Sequence, residues 1–185
     1  MSVKVKVNPL GVEEYLEGEL HSEMKHEMVG GQAYAMVGAS SIHNLLALTV
    51  AGMLRQHLQG SPCRTFMSDM KVRVGDDFYY PDLVVTCRPA TGTYYYVTDP
   101  VLIVEVLSPT TERQERLEKR MAYQHLPNLR EYVLIAQDKM QVEVHRRIED
   151  GWEIERCGER DELRLESGDL TIPLTEIYQD VMNVP

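Results

Sequence analysis

Two acidic residues, Asp82 and Glu105, each lie in an apolar stretch where an unpaired charge would be costly. Asp82 follows Pro81 directly before the run LVVT, and Glu105 lies within the run VLIVEVL. A buried carboxylate without a partner costs several kcal/mol or changes its pKa. Side chains alternate along a strand, so two neighbouring strands could bring both acids to one place. The pattern therefore predicts a cation, metal or hydrogen-bond donor opposite Glu105.

Carboxylates with main-chain oxygen atoms around them are hard oxygen ligands, which favours Mg²⁺ or Mn²⁺ over zinc. A divalent cation held by Asp82 and Glu105 would lower the pKa of a bound water and neutralise charge on a phosphodiester. A lysine nearby would add a fixed positive charge for the attacking water or the phosphate. Lys119, on the helix predicted after Glu105, is the candidate. The chemistry predicted is hydrolysis of a phosphodiester bond.

The residues around these acids also have structural interpretations. Lys119 follows Glu115 by four residues, the spacing of an exposed helix ion pair that contributes roughly 0.3–0.5 kcal/mol, and periodicity does not decide which way Lys119 faces. Glu27, in a predicted strand, has the pattern of a solvated charge at a sheet edge. His43, in the first turn of a predicted helix, fits a capping or packing role better than a ligand role.

The elements that must position these residues alternate between strands and helices. A short acidic helix is predicted over 11–20, followed by two strands around a Gly-Gly pair, which supplies the positive φ angles of a tight hairpin. The strongest helical pattern covers 40–58, with Ser40 or Ser41 as its cap. A mixed β-sheet flanked by helices, with an N-terminal hairpin, is the α/β fold that fits this order.

The second half of the pattern begins with two strands predicted within 63–87, joined as an antiparallel hairpin at Gly75–Asp77. Proline cannot donate to a sheet, so Pro81 predicts a bend that presents Asp82 at a rim. The sheet is predicted to end at Ser108 and Pro109. Thr111 with Gln114 has the spacing of a capping box for a helix that runs to about Leu126. Three further strands are predicted within 131–157. A short apolar stretch at Leu170–Ile172 and a helical turn near Ile177 complete the predicted elements.

Composition and length indicate one globular domain over 1–185. Hydrophobic residues make up 43% and charged residues 26%, and no apolar run approaches the roughly 18 residues of a membrane span. The N-terminal sequence lacks the apolar core of a signal peptide. Three scattered cysteines give neither a disulfide framework nor a zinc spacing, which favours a reducing compartment. We therefore expect a cytoplasmic protein without a membrane partner.

The net charge of −10 argues against tight, non-specific binding to DNA, because phosphate contacts use Lys and Arg. The charge is unevenly distributed: residues 28–148 carry 13 basic and 12 acidic residues, whereas the two end segments together carry 6 basic and 17 acidic residues. Four basic residues cluster on the helix that carries Lys119. A local phosphate contact is therefore compatible with the sequence.

The run YPDLVVTC, followed by LIVEVLSPTTERQERLEKRMAYQHLPNLREYVLI, resembles the Uma-type restriction endonuclease family of the PD-(D/E)xK nuclease superfamily. The resemblance covers about residues 12–148 and includes the earlier stretch EMVGGQAYAMVGASSIHN. It implies a restriction-endonuclease-like core, which leaves 149–185 as acidic C-terminal strands and a terminal turn. It also implies Mg²⁺, with Mn²⁺ able to substitute, DNA as the substrate and a possible homodimer.

By this resemblance, Asp82 belongs to the PD element and Glu105 is the acid of the (D/E)xK element, both as metal ligands. The usual position of the superfamily lysine holds Leu107, and in the Uma-type family the following helix supplies this lysine, which points to Lys119. Glu27 matches an additional acid near the start of the family pattern and becomes a fourth candidate catalytic residue. Glu115 stands where the family often has aspartate, outside the proposed catalytic set.

Three functional hypotheses remain open at the level of sequence. The first is a metal-dependent DNA endonuclease. The second is a non-catalytic DNA-binding or protein-interaction module on a nuclease fold, since a fold does not fix a function. The third is a phosphodiesterase for small nucleotides, which an acidic surface tolerates better than long DNA. The three tyrosines at 94–96 could stack on bases, but an exposed hairpin explains them more simply.

Overall fold

The computed structural model describes residues 9–89, 91–107 and 114–181, with the backbone alone for 114–116. Four helices of 4 to 17 residues accompany the strands in these ranges. The helices are α1 (Val12–His21), α2 (Ser41–His57), α3 (Gln114–Gln124) and α4 (Leu174–Ile177). The predicted sheet end at Ser108 and Pro109 and the capping box of Thr111 lie outside the described residues. The helices within these ranges are too short or too polar to cross a membrane.

The strands form two large mixed sheets and a separate hairpin. In chain order they are β1 (His26–Val29), β2 (Gln32–Ala35), β3 (Arg64–Met67), β4 (Lys71–Val74), β5 (Asp77–Tyr79), β6 (Leu83–Thr86), β7 (Tyr96–Val97), β8 (Pro100–Leu107), β9 (Glu131–Ala136), β10 (Gln141–Ile148), β11 (Gly151–Gly158), β12 (Glu162–Leu165) and β13 (Leu170–Pro173). The five-stranded sheet has the order β2-β1-β5-β4-β7 and the six-stranded sheet the order β11-β10-β9-β8-β6-β3. Strands β12 and β13 pair with each other.

The N-terminal hairpin forms as predicted. Strands β1 and β2 pair antiparallel and meet at Gly30 and Gly31, whose φ angles are +58° and +74°. A residue with a Cβ is strained at such angles, and at Gly31 the Cβ would also lie 2.6 Å from a side-chain atom of Pro9. Strand β1 pairs on its other side with β5, so Glu27 lies within the sheet, whose edge strands are β2 and β7.

The prediction of two strands within 63–87 was wrong, because this segment forms four strands divided between the two sheets. Strands β4 and β5 form the predicted hairpin in the five-stranded sheet, whereas β3 and β6 pair in the six-stranded sheet. The chain changes sheets at Ser68, which has a φ of +50°, and again at Pro81. The main-chain N–H of Ser68 donates to the carbonyl of Asp82, so a hydrogen bond joins the two places where the chain passes between the sheets. Asp82 therefore lies at a corner between the sheets, in agreement with the predicted bend.

The six-stranded sheet carries apolar side chains on both faces, which explains why its central strands read as continuous apolar runs. One face packs α2 against strands β6, β8 and β9, through buried side chains such as Leu46 and Val104. The C-terminal hairpin and α4 join the same cluster through Leu163 and Ile177. The other face packs α3 on the sheet through Tyr123. The alternation along β8 thus directs Glu105, with Ile103, to the side of α3.

The expectation of unpaired cysteines was wrong for one pair. Cys63 and Cys87 form a disulfide, and Cys157 is free and buried. Arg64 of β3 lies opposite Thr86 of β6, and the two cysteines are the next residues along the chain beyond this pair. Antiparallel pairing brings residues distant in sequence to this contact, so their spacing in the chain does not reveal it. The cysteines therefore give no support to a reducing compartment.

The three tyrosines predicted in a loop are partly used in packing. Tyr96 belongs to β7 and packs its ring edge against Phe78, and Tyr94 contacts Phe66. Tyr95 is the one with its side chain largely exposed. This arrangement favours the structural interpretation over a row of stacked bases.

Candidate active site

Asp82 is held at the start of β6 by donors from two other elements. Its Oδ2 accepts the main-chain N–H of Val106 at 2.7 Å, and Nε2 of His43 lies 3.1 Å from the same oxygen. The first contact fixes the carboxylate against β8 beside Glu105. The second brings in α2, because the N–H of His43 bonds to the Ser40 cap and directs the first helical turn to this corner. His43 thus does more than cap or pack.

Glu105 points from β8 to α3, where two donors reach one of its oxygens. Tyr123 donates its hydroxyl to Oε1 at 3.2 Å, and Nζ of Lys119 lies 3.4 Å from the same atom. The Glu105 side chain is 12% exposed. Lys119 and Tyr123 are four residues apart and share one face of the helix, whereas Leu117 and Met121 on the other face are exposed. Lys119 therefore faces the sheet, a point that periodicity left open.

Glu27 completes the cluster from the five-stranded sheet. Its Oε1 lies 2.8 Å from Nζ of Lys119 and accepts the main-chain N–H of Tyr80 at 2.9 Å. The residue is 8% exposed, so the interpretation as a solvated edge charge was wrong. Its position follows from the pairing of β1 with β5, which ends beside Tyr80. Lys119 thus bridges a carboxylate from each of the two sheets.

The cluster holds more negative than positive charge in a poorly hydrated place. Burial raises the pKa of Glu105 to about 7, the charge of Lys119 opposes that rise, and the charges of Asp82 and Glu27 add to it. The hydrogen bond to Asp82 raises the pKa of His43 above its ordinary value, against the opposing effect of burial. Among the described side chains, the cluster holds three carboxylates and one lysine, a charge of −2 when all are ionised and His43 is neutral. Such an excess is what a divalent cation would neutralise.

The donor set fits a hard cation with a partly hydrated shell. Mg²⁺ usually keeps several waters and takes one or two carboxylates from the protein, and Asp82 and Glu105 supply two. Within the described ranges, no three His, Cys, Asp or Glu side chains are arranged as a ready metal cage. This absence excludes a closed zinc-like site from that part of the chain, and it is compatible with two-carboxylate coordination.

The structure therefore brings together all four residues singled out from the sequence: Asp82, Glu105, Lys119 and Glu27. The side chain of Glu115 lies outside the described residues. Sequence reasoning missed the contacts of His43 and Tyr123 with these acids. The position of Tyr123 one helical turn after Lys119 was an available signal, whereas the contact between His43 and Asp82 joins elements far apart in the chain.

Comparisons with known proteins agree with this architecture. The family model Uma2, described as "putative restriction endonuclease", matches residues 12–175. Two uncharacterized proteins of Synechocystis sp. are similar: slr1290 is 35% identical over 92% of both chains, and sll1609 is 31% identical over 81% of this chain and 88% of that protein. A crystal structure from Anabaena variabilis, described as a "putative nuclease belonging to DUF820", has a TM-score of 0.75. It is 19% identical and covers 92% of this chain and 98% of that one, which shows a common fold.

Proposed function

This chain belongs to the Uma2 family, and on that premise we propose that it is a metal-dependent endonuclease that hydrolyses phosphodiester bonds of DNA. The observation that carries the proposal is the meeting of three buried or half-buried carboxylates with Lys119 at the corner of the two sheets. A purely structural cluster would be expected to balance its charges. Among the side chains that the structure describes, this one keeps an excess of acid, and burial raises the pKa of Glu105 to about 7.

In this proposal Asp82 and Glu105 hold Mg²⁺, or Mn²⁺ in its place, and Glu27 holds Lys119. The bound ion would supply Lewis-acid stabilisation of charge on the phosphodiester. Lys119 places its ammonium group beside Glu105, where it can orient the attacking water or stabilise charge that develops on the phosphate. Tyr123 and His43 each fix one of the two ligating carboxylates. The backbone N–H groups of Val106 and Tyr80 fix the acids further.

The decisive experiment measures cleavage of supercoiled plasmid and of a dinucleotide phosphodiester by wild type and by Asp82→Asn, Glu105→Gln and Lys119→Met. Each assay contains Mg²⁺, Mn²⁺ or EDTA. We expect plasmid cleavage in the presence of metal and a loss of about 10²-fold or more in each variant, since each removes a ligand or a fixed charge. Calorimetric titration with Mn²⁺ on the same samples tests whether binding requires both acids.

Two matched controls separate the site from general changes of charge. Asp150→Asn and Glu149→Gln remove exposed acids in the turn between β10 and β11, away from the cluster, and both should cleave as wild type does. Cleavage that survives loss of Asp82 or Glu105 would refute the assignment. Metal binding without cleavage of either substrate would favour a non-catalytic module, and preference for the dinucleotide would favour a small-nucleotide phosphodiesterase.

A further inference from the structure

A cleft that contains arginine side chains lies at the opposite end of the central strands from the acid cluster. It has a volume of about 330 Å³ and is formed where β6 ends, β8 begins and the chain passes from α3 into β9. Strand β6 begins beside Asp82 and leads towards Arg88 in this cleft, and the six residues of chain between them span at most roughly 20 Å. Three arginines line it, Arg88, Arg130 and Arg147, together with one acid, Asp99.

Arg147 is a fixed cation in this cleft. Its Nε donates to the carbonyl of Leu129, and its Nη2 donates to the carbonyls of Leu126 and Gln124, at the C-terminal end of α3. The guanidinium also lies over the Trp152 ring, 4.4 Å from its centroid. These contacts hold the side chain in one position, and they use Nε and Nη2. The guanidinium is thus anchored by neutral carbonyl groups, and it keeps its positive charge.

Arg88 and Arg130 add two exposed guanidinium groups to the same cleft. Neither pairs with a carboxylate within the residues described by the structure. The backbone of Arg130 is fixed between its neighbours, because its N–H donates to Val101 and its carbonyl accepts from Arg147. The acid of the cleft, Asp99, accepts a hydrogen bond from the side chain of Asn128 at 2.6 Å. This bond occupies one carboxylate oxygen of Asp99 but leaves its negative charge in place.

From this geometry we propose that the arginine cleft binds a phosphate group. Its side chains carry three positive charges and one negative charge, a local excess of +2 on a chain whose net charge is −10. Planar guanidinium groups present paired donors that match the oxygens of a phosphate, which makes arginine the usual choice for this ligand. One anchored and two adjustable arginines form a concave site that a surface arginine alone does not provide.

The phosphate can belong to the backbone of DNA or to a free nucleotide. A duplex rises 3.4 Å per base pair, so a separation of at most roughly 20 Å corresponds to at most about six base pairs from the acid cluster. In the first case the cleft would contact the substrate of the proposed nuclease away from the cleaved bond. In the second it would be an independent nucleotide site.

The test compares the double variant R88Q/R130Q with R55Q/R160Q, which removes two exposed arginines elsewhere and changes the net charge equally. Inorganic phosphate and AMP are titrated into each full-length protein in EDTA, so that no divalent cation bridges phosphate to Asp82 and Glu105. The readout is the ¹⁵N-arginine Nε–Hε spectrum. We expect the Arg147 resonance to shift, and affinity to fall about tenfold or more in R88Q/R130Q alone, because two charge-assisted donors are lost.

A second arm measures binding of a 20-bp duplex to the same proteins in EDTA. A greater loss of DNA affinity in R88Q/R130Q than in R55Q/R160Q identifies the phosphate as that of the DNA backbone. Unchanged DNA binding with lost AMP binding identifies a free phosphoryl ligand. Equal affinities of the two double variants for all three ligands would overturn the proposal. None of these readouts requires cleavage, so the cleft stands or falls separately from the proposed nuclease activity.

Discussion

Glu105 and Glu131 are buried glutamates on adjacent parallel strands, and their surroundings are opposite. Glu131 accepts hydrogen bonds from the side chain of Arg146, from the main chain of Glu166 and from both the main chain and the hydroxyl of Ser167. These donors use both carboxylate oxygens and join β9 to the C-terminal hairpin. Glu131 is thus a well-satisfied buried charge of the kind that holds a fold together.

Within the described part of the chain, Glu105 receives fewer donors and faces other acids. Lys119 and Tyr123 both reach its Oε1, and Asp82 and Glu27 add negative charge around it. Its raised pKa shows the cost of this arrangement. The comparison teaches that burial alone does not mark a functional acid. The useful signal is a buried acid whose surroundings leave its charge incompletely neutralised.

The largest expected effect on stability comes from Glu131→Gln. The change keeps the volume of the side chain but removes the charge that Arg146 and three other donors share. It also places an amide donor among those donors. We expect the free energy of unfolding to fall by about 3 kcal/mol, the lower end for breaking a buried ion pair, because Arg146 keeps Glu155 as a partner. Urea unfolding measures it.

Glu166→Gln is the matched control, since Glu166 also approaches Arg146 but is half exposed. Its expected effect is below about 1 kcal/mol. An equal loss of stability in both variants would contradict the structural role assigned to Glu131.

The same substitution at position 105 should have the opposite sign and depend on pH. The pKa of Glu105 rises from 4.5 to about 7 on folding, so the folded state binds more protons between these values and stability falls as pH increases through this range. Glu105→Gln removes this loss. Measured by urea unfolding in EDTA, the variant should gain on the order of 3 kcal/mol relative to wild type between pH 4.5 and pH 8.

Glu149→Gln, at an exposed turn, should follow the wild-type pH dependence and serves as the control. If the difference between Glu105→Gln and wild type stayed constant over this pH range, the interpretation of Glu105 as an incompletely neutralised acid would fail.

This comparison also shows how much of the site could be predicted from the sequence. Glu105 and Asp82 stood out because each interrupts an apolar run, and the structure places both at one corner. Glu131 lies in a similar run, EYVLIA, and the pattern alone does not separate it from Glu105. The difference depends on Ser167 and Arg146, which only tertiary structure brings to it. Local patterns predict which acids are buried, whereas distant donors decide what burial costs.

The fold shows the same division between local and distant information. The hairpin at the Gly-Gly pair and the helix after Ser40 are set by neighbouring residues, and both were predicted correctly. The division of segment 63–87 between two sheets depends on pairing with β1 and β8, which the alternation of its side chains does not encode. The disulfide between Cys63 and Cys87 follows from that pairing and was missed for the same reason.

A smaller effect is expected from His43, which contacts the carboxylate of Asp82 on the side of α2. At pH 8, His43→Ala should weaken Mn²⁺ binding by about tenfold, the lower end for loss of a residue that orients a metal ligand. His43→Gln should restore much of the affinity, because its amide can donate to the same oxygen. Asn44→Ala, an exposed neighbour on the same helix, should bind as wild type does. Calorimetry that finds equal affinities in all four proteins would remove His43 from the site.

The smallest effect is expected from Tyr123→Phe, which removes one hydroxyl and keeps the ring. The ring packs edge-on against Tyr79 and Tyr132, so phenylalanine preserves the contact between α3 and the sheet. The lost hydrogen bond to Oε1 of Glu105 contributes about 1 kcal/mol and favours the ionised carboxylate. Its removal should raise the pKa of Glu105 further, by under about one unit.

We measure the free energy of unfolding of Tyr123→Phe across the same pH range. The pH at the midpoint of its decline should be higher than in wild type, and Mn²⁺ affinity at pH 7 should be reduced a few-fold. Tyr34→Phe removes the hydroxyl of an exposed tyrosine in the edge strand and controls for the chemical change. An unmoved midpoint would mean that the hydroxyl of Tyr123 does not stabilise the ionised form of Glu105. The contrast with Glu131, whose several donors act together, would then be larger than the hydrogen bonds of Glu105 indicate.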